Sequence, residues 1–479
     1  MRRMKRGYYI STTLPYVNAK PHIGFALEIV RADVLARYHR LLGEKVFFNT
    51  GTDEHGQKIY QMAIARRIDP QEYVDEYAGK FGLLRSALNL SYDRFIRTTD
   101  EHHQKSAQEF WRRVEKNGYI YKKNYRVKYC VGCELEKQDS ELEDGKCPIH
   151  PNKELEIIEE ENYFFKFSAF QERLLNLYKE RDGFVIPANR LKEIANFVRS
   201  GLSDFSISRV KEKMPWGVPV PDDDSQVMYV WFDALVNYIS TLGWPDDLKK
   251  YNQWWPGVQI AGKDNLRQQA AMWQAMLMAA GLDNSKQILI NGFVTSKGQK
   301  MSKSVGNVVN PIEYTDKYGT DAVRYFLLAK VNPFDDSDFT RERFEESYMN
   351  DLANGLGNLI ARTAAMCEGL EIKIDEDKIL KWEGRDDSIT KALDSYEFDK
   401  VMNIIWDEVR QTNVLINQNE VWKLSGREKN MVLEEIVLRI RNIGVNLQPF
   451  MPETAEKIMT VFGSKQIVKG EQLFPRLKN

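Results

Sequence analysis

No apolar run in the sequence approaches the roughly 18 residues a membrane-spanning helix requires, which excludes an integral helical membrane protein. Cysteine is scarce, 4 in 479 residues, so a disulfide framework is not the source of stability. An excess of charge of either sign is also missing: 68 Lys and Arg stand against 69 Asp and Glu, a formal net charge of −1. Any nucleic-acid partner must therefore meet a local basic surface, and a polybasic binder is excluded. Neither an internal repeat nor a low-complexity segment occurs. The hydrophobic share of 43% and charged share of 29% are ordinary for a globular protein, and the length suits about three domains with cores of their own. The basic start is followed by a stretch too short, and too broken by Ser11, Thr12, Thr13 and Pro15, for a secretory signal. Together with the cysteine usage this predicts mature sequence in a reducing cytoplasm.

Residues 7–14 read as a buried strand, followed by a turn at Asn18 to Pro21. A helix then carries Ile23, Leu27, Val30, Val34 and Tyr38 on one face, and Val46-Phe47-Phe48 begins a second strand. Strand, helix, strand in this order opens a parallel, doubly wound sheet. Near residue 118 the texture changes to an inserted module that holds three cysteines and the acidic run Glu159 to Glu161. Alternation resumes with a strand pattern at 227–235, another at 258–265, a helix over 266–280 and a strand at 288–294. After about residue 345 strand signals give way to three helical stripes. These are Met349, Leu352, Leu356, Leu359 and Cys367; Phe398, Met402, Ile405, Val409 and Leu415; and Leu433, Ile436, Val437, Ile440 and Leu447. The expected architecture is α/β, a doubly wound Rossmann-like parallel sheet split by an insertion, plus a C-terminal α-helical bundle. The expected boundaries are 1–117 and 201–307 for the two halves of the sheet domain, 118–200 for the insertion, 308–345 for a linking region and 346–479 for the bundle.

Three constellations carry chemistry. Cys130-Val131-Gly132-Cys133 is followed after thirteen residues by Cys147-Pro148-Ile149-His150. Two knuckles of this spacing supply three thiolates and one imidazole to a tetrahedral centre, which suits a closed, structural zinc site. At the first strand-helix junction, a helix starting near His22 would turn its unpaired N–H groups and positive dipole end toward a phosphate, with Gly24 allowing close approach. Lys300-Met301-Ser302-Lys303-Ser304 places two lysines three residues apart in a small-residue loop able to close over a polyphosphate. Taken singly, the last two also read as a Pro-His helix cap and a solvated turn.

Taken together, these residues resemble the class I aminoacyl-tRNA synthetases, whose two nucleotide signatures are a His-x-Gly-His element and a Lys-Met-Ser-Lys-Ser loop. Within that class the sequence is similar to the methionyl-tRNA synthetases. Gly51-Thr52-Asp53-Glu54-His55-Gly56, Ile207-Ser208-Arg209, Tyr229 to Ala234, Gly262-Lys263-Asp264 and Lys300 to Ser304 occur in that family's order, up to about residue 425. The single knuckle module looks like the family's one-metal, bacterial form.

The resemblance implies a methionine–tRNA ligase whose partners are ATP with Mg²⁺, L-methionine and tRNA(Met); a monomer is expected. It implies catalytic roles for His22, Lys300 and Lys303, and ATP contacts from His22, Gly24, Asp264, Val294, Lys300, Ser302 and Lys303. Asp53 would pair with the substrate's ammonium, and Leu14, Tyr16, Trp231, Ala234, Tyr238, Gln269 and Trp273 would line the methionine pocket. Asn358, Arg362 and Trp422 would read the anticodon, and Cys130, Cys133, Cys147 and His150 would bind Zn²⁺. From the residues alone, the aromatics also read as core packing, and Trp422 as a wedge between helices. Three positions depart from the family pattern: Phe25 replaces the second signature histidine, Gln269 a frequent pocket histidine, and Val421 the proline before Trp422. Two other functions fit parts of the sequence, a synthetase for another apolar amino acid and a tRNA-binding paralogue that has lost activation.

Overall fold

The computed structural model describes residues 6–137, 139–301, 307–385 and 387–477. Contacts divide the chain into two compact units, one of Met1–Lys20, Val46–Leu83 and Tyr92–Ile290, the other of Pro21–Lys45, Leu84–Ser91 and Asn291–Asn479. The basic residues 1–5 at the start lie outside the described residues.

The first unit is organised on a six-stranded sheet in the order Arg94–Arg97, Val46–Thr52, Tyr8–Thr12, Val258–Gly262, Gln287–Asn291, Val185–Ile186. The first strand is buried along its whole length, as a strand covered on both faces must be. It pairs in parallel on both sides, Ile10 standing opposite Phe48 and Val258. The chain thus builds outward on one side of the first strand, leaves the sheet, and resumes on the other. A reversal of this kind opens a crevice at the carboxyl ends of the strands, where the segments 13–20, 53–56 and 263–265 emerge. An aromatic cluster that includes Phe110, Trp111, Phe165, Phe232, Trp244 and Trp273 forms the core of this unit.

The insertion rises as a ribbon, Ile120–Cys130 antiparallel to Glu156–Phe165, in register from Ile120 opposite Phe165 to Tyr129 opposite Glu156. Its acidic run faces the basic strand: Lys122 Nζ lies 3.9 Å from Glu161 and Arg126 Nε 3.8 Å from Glu159. The cysteines follow at the end of the ribbon away from Ile120.

Two elements differ from the sequence expectation. The pattern at 227–235 is not one strand. Asp223–Met228 pairs antiparallel with Ser208–Val210 in a separate small sheet, and Val230–Ala234 is a short helix burying Val230, Phe232, Asp233 and Ala234. A short run that is apolar but for Asp233 has no periodicity to separate a buried helix from a strand. The helix over 266–280 is interrupted by a π turn at Gln268–Met272 before Trp273–Ala279.

In the second unit, helix Ile23–Leu41 is anchored by buried charge. Asp33 accepts from Arg37 Nε at 2.7 Å and from Arg324 Nη1 at 2.9 Å, and Arg324 also donates to the carbonyls of Leu88, Pro449 and Phe450. Arg31 donates to Asn291 Oδ1 and to the carbonyls of Val331, Asn332 and Pro333. Burying a guanidinium requires such partners, so these contacts fix the start of the chain's first helix against its later segments. Helices Asn358–Cys367, Phe398–Gln418, Gly426–Leu447 and Pro452–Phe462 follow. Phe398–Gln418 buries Phe398, Met402, Ile405 and Val409 as expected, but Ile416 takes the inward position assigned to Leu415, which is only half-buried. No helix among the described residues is long and apolar enough to cross a membrane.

Candidate active site and metal centre

The four knuckle residues converge. One ligand atom from each of Cys130, Cys133, Cys147 and His150 lies within 4.8 Å of the other three. Cys133 Sγ stands 3.5 Å from Cys147 Sγ and 3.2 Å from His150 Nδ1, and Cys130 Sγ stands 3.8 Å from the same nitrogen. A tetrahedron with metal–sulfur bonds of about 2.3 Å has edges of about 3.8 Å, so the donor set fits a tetrahedral cation. Each knuckle is a turn, closed by Cys133 N–H donating to Cys130 O at 3.1 Å and by His150 N–H donating to Cys147 O at 3.0 Å. Between them Asp144 and Gly145 both have positive φ, as a tight two-residue hairpin turn demands. Gly132 is required by packing, since a Cβ there would stand 2.6 Å from the His150 ring.

In the same unit, the loops after the first and second strands are zipped together: Asp53 N–H donates to Pro15 O at 3.0 Å and Val17 N–H to Asp53 O at 3.1 Å. The Asp53 carboxyl is buried and its Oδ1 has no hydrogen-bond partner. Burial, reinforced by the negative charges of Asp233, Glu134 and Glu54, pushes its pKa well above the usual carboxylate range. Such a group is stabilised by an arriving cation. Of the other pocket candidates in this unit, Leu14, Tyr16 and Trp231 are half-buried, whereas Ala234, Tyr238, Gln269 and Trp273 are buried. The Tyr238 and Trp273 rings meet at 5.8 Å, Trp273 also stacks on Phe110 at 5.7 Å, and Gln269 accepts from Gln259 at 3.4 Å. Trp231 Nε1 and Trp273 Nε1 are buried donors without a hydrogen-bond partner.

Sequence reasoning missed the group behind Asp53. His55 Nδ1 lies 3.0 Å from Asp233 Oδ2, His103 Nε2 lies 3.7 Å from Asp233 Oδ1, and His103 Nδ1 lies 3.0 Å from Ser240 Oγ. Against the effect of its burial, the two imidazoles hold Asp233 below the usual carboxylate range. It missed Glu134 as well, whose carboxylate accepts from the Tyr16 hydroxyl at 3.1 Å. Asp264, in a 3₁₀ turn directly after strand Val258–Gly262, is exposed.

The remaining nucleotide candidates belong to the second unit. His22 is the N-cap of helix Ile23–Leu41, its Nδ1 accepting from Gly24 N–H at 3.1 Å. The Gly24 N–H, an open donor in the sequence reading, is thus already engaged by His22. Ile23 N–H donates to Val309 O at 2.9 Å, and a Cβ on Gly24 would stand 4.0 Å from Met301 Cε. Met301 and Val309, on either side of residues 302–306, therefore both lie against the first turn of the helix. Val294 is buried on a strand paired in parallel with Ser337, and Gln299–Lys300 folds back on it through Lys297 and Gly298, both at positive φ. Ser302 and Lys303 lie outside the described residues. Further along this unit, Asn358 is exposed and Trp422 is 50% exposed, so about half of the tryptophan is open to solvent. The Arg362 guanidinium sits over the Trp422 ring at 4.8 Å and donates to Asn417 Oδ1 at 2.8 Å.

Comparison with known proteins gives the class first. The family model described as tRNA synthetases class I (M) matches residues 8–156 and 136–364. Among curated relatives, a methionine–tRNA ligase of Caldanaerobacter subterraneus subsp. tengcongensis is 38% identical over 509 residues, covering 99% of this chain and 79% of that protein. One of Synechocystis sp. is 41% identical, covering 95% and 89%. A solved structure of Mycobacterium tuberculosis methionyl-tRNA synthetase in complex with methionyl-adenylate superposes with a TM-score of 0.90 at 33% identity, covering 98% of this chain and 100% of that one. The chain belongs to the methionyl-tRNA synthetase family of class I.

Proposed function

We propose that this chain joins methionine to ATP, forming methionyl-adenylate and pyrophosphate, and then transfers the methionyl group to the 3′ end of tRNA(Met). The observation that carries this reading is Asp53, a buried carboxyl with a bare oxygen, its backbone bridged to Tyr16, in the same unit as the paired rings of Tyr238 and Trp273. An amino acid offers the two things that arrangement lacks, an ammonium for the carboxylate and an apolar side chain for the rings. A thioether is well held there, since sulfur–aromatic contacts contribute about 0.3–1.5 kcal/mol each. Leu14, Tyr16, Trp231, Ala234, Tyr238, Gln269 and Trp273 line the pocket in this reading.

Activation needs no general base. The methionine carboxylate is already ionised and attacks the α-phosphorus, so the protein's task is alignment and neutralisation of charge on departing pyrophosphate. His22, Lys300 and Lys303 supply positive or hydrogen-bonding groups, with Mg²⁺ carried in by the nucleotide. Gly24 and Ser302 complete the ATP contacts, Asp264 binds the ribose, and the Val294 backbone meets the adenine. Zn²⁺ held by Cys130, Cys133, Cys147 and His150 has a structural role, its four protein donors leaving no position for a reactant. Residues 1–117 and 201–307 form the catalytic domain, 118–200 the insertion and 346–479 the anticodon-binding bundle. A cytoplasmic monomer is the form we expect.

Trp422 with Arg362 and Asn358 offers unpaired bases a stacking surface and hydrogen-bonding groups. Base–aromatic stacking contributes about 1–3 kcal/mol. Trp422→Ala is therefore expected to lower kcat/KM for tRNA methionylation about 10- to 100-fold, while methionine-dependent ATP–pyrophosphate exchange, which uses no tRNA, is unchanged. Equal charging by the variant would remove Trp422 from the interface.

A further inference from the structure

Glu134 directly follows the second cysteine of the first knuckle and is held in the left-handed region, φ 53°. That is an uncommon conformation for glutamate, adopted when surrounding contacts dictate it. Only 6% of the residue is exposed, and four donors converge on it. Its Oε1 accepts from the Tyr16 hydroxyl at 3.1 Å and from Lys58 N–H at 2.7 Å. Its Oε2 accepts from the Tyr129 hydroxyl, and its backbone carbonyl from the Tyr229 hydroxyl. Tyr16 follows the first strand, Lys58 opens the helix that begins four residues after Asp53, and Tyr229 immediately precedes the helix carrying Trp231 and Ala234. One residue of the metal knuckle therefore ties down three of the segments that furnish the amino-acid pocket. Gly56 makes room for this, since a Cβ there would stand 2.7 Å from the Tyr16 oxygen and 3.5 Å from Glu134 Oε1.

The chemistry is directional. A carboxylate only accepts, and a tyrosine hydroxyl has one proton to give. With that proton committed to Glu134, the Tyr16 oxygen can offer only lone pairs to anything else, and Tyr16 is bridged to Asp53 through the backbone. We propose that Glu134 is a positioning residue for the substrate's α-ammonium: by accepting the Tyr16 hydroxyl's hydrogen bond it leaves the Tyr16 oxygen as a hydrogen-bond acceptor beside Asp53, and the metal knuckle holds it there. The inference rests on the reading above that Tyr16 and Asp53 receive methionine. It makes cation binding at the knuckle and affinity for the amino acid two faces of one arrangement, although no knuckle ligand touches the substrate.

The test uses the full chain with its metal content measured. Methionine and ATP KM values are taken from pyrophosphate exchange, and methionine Kd from tryptophan fluorescence, for Glu134→Ala, Glu134→Gln, Tyr16→Phe and the double variant Tyr16→Phe/Glu134→Ala. Glu134→Ala is expected to raise methionine KM and Kd at least tenfold, leave ATP KM within twofold, and keep one metal per chain. Glu134→Gln, which retains one acceptor, recovers part of the loss. In the Tyr16→Phe background Glu134→Ala adds less than threefold, because the hydroxyl it acts through is already gone. Unchanged methionine KM, parallel rises in both KM values, or full additivity in the double variant would overturn the proposal. If Glu134→Ala does not fold or loses its metal, Glu134→Gln decides, and a wild-type methionine KM in that variant refutes it. Failure of the underlying reading is distinguishable, since in that case the wild-type protein itself shows no methionine-dependent exchange.

Discussion

Asp53→Asn is expected to weaken methionine binding by roughly 30- to 5,000-fold and, at the same time, to raise the melting temperature of the ligand-free protein. The first effect follows from removing one partner of a buried charge pair, which costs about 2–5 kcal/mol, each 1.36 kcal/mol being tenfold. The second follows from the direction of the Asp53 shift. Burial and the charges of Asp233, Glu134 and Glu54 raise its pKa in the folded state well above the unfolded value. Below the unfolded pKa the group is protonated in both states and costs nothing. As pH rises from there toward the folded pKa, the unfolded chain ionises more readily and stability falls, and the penalty persists at higher pH. A neutral amide removes that penalty. Binding carries the matching sign: an ammonium favours the ionised carboxyl, so methionine affinity rises with pH through the folded pKa of Asp53 and binding releases protons. Calorimetry in buffers of different ionisation enthalpy measures the release, and thermal melts of the ligand-free variant measure the gain. A variant that binds methionine normally, or melts lower without ligand, would contradict both assignments.

Removal of the metal is expected to have the second large effect, and a local one. The knuckle has little apolar packing of its own, and a structural zinc site of this type contributes on the order of 10 kcal/mol to the fold that forms around it. None of Cys130, Cys133, Cys147 or His150 belongs to the large aromatic core of the first unit. Chelation, or Cys147→Ser, should therefore release one zinc per chain and open 131–150 to proteolysis while the main unfolding transition persists. Methionine KM should rise at least tenfold with it, because Glu134 is adjacent to Cys133 in the chain. A chelated protein with an intact knuckle and unaltered methionine KM would refute the structural role of the cation.

What was legible in the sequence was what is local in it. Cys130, Cys133, Cys147 and His150 could be read as one site because each knuckle's spacing is set by a single turn. The strand at Tyr8–Thr12, the helix starting at Ile23 and the stripes at 398–409 and 433–447 were legible because burial imposes periodicity on neighbouring residues. Contacts between distant positions left no such trace. Glu134 meets Tyr16 across 118 residues and His55 meets Asp233 across 178, so neither partnership has a spacing to recognise. Glu134 carried one usable hint, its place next to a ligand cysteine. The segment 229–235 was misread because Tyr, Val, Trp and Phe favour strands in general, while here their burial as a short helix is decided by tertiary packing. His22 shows the same limit in another form. A helix start and a Pro-His cap were both legible there, but not that the imidazole would occupy the Gly24 N–H.

Methionine-dependent ATP–pyrophosphate exchange, run with purified protein against methionine, leucine and isoleucine, is the most direct measurement of the central claim. Exchange with methionine and little or none with the two branched side chains is the expected result. No exchange with any amino acid by a folded, metal-loaded protein that still binds tRNA would contradict it.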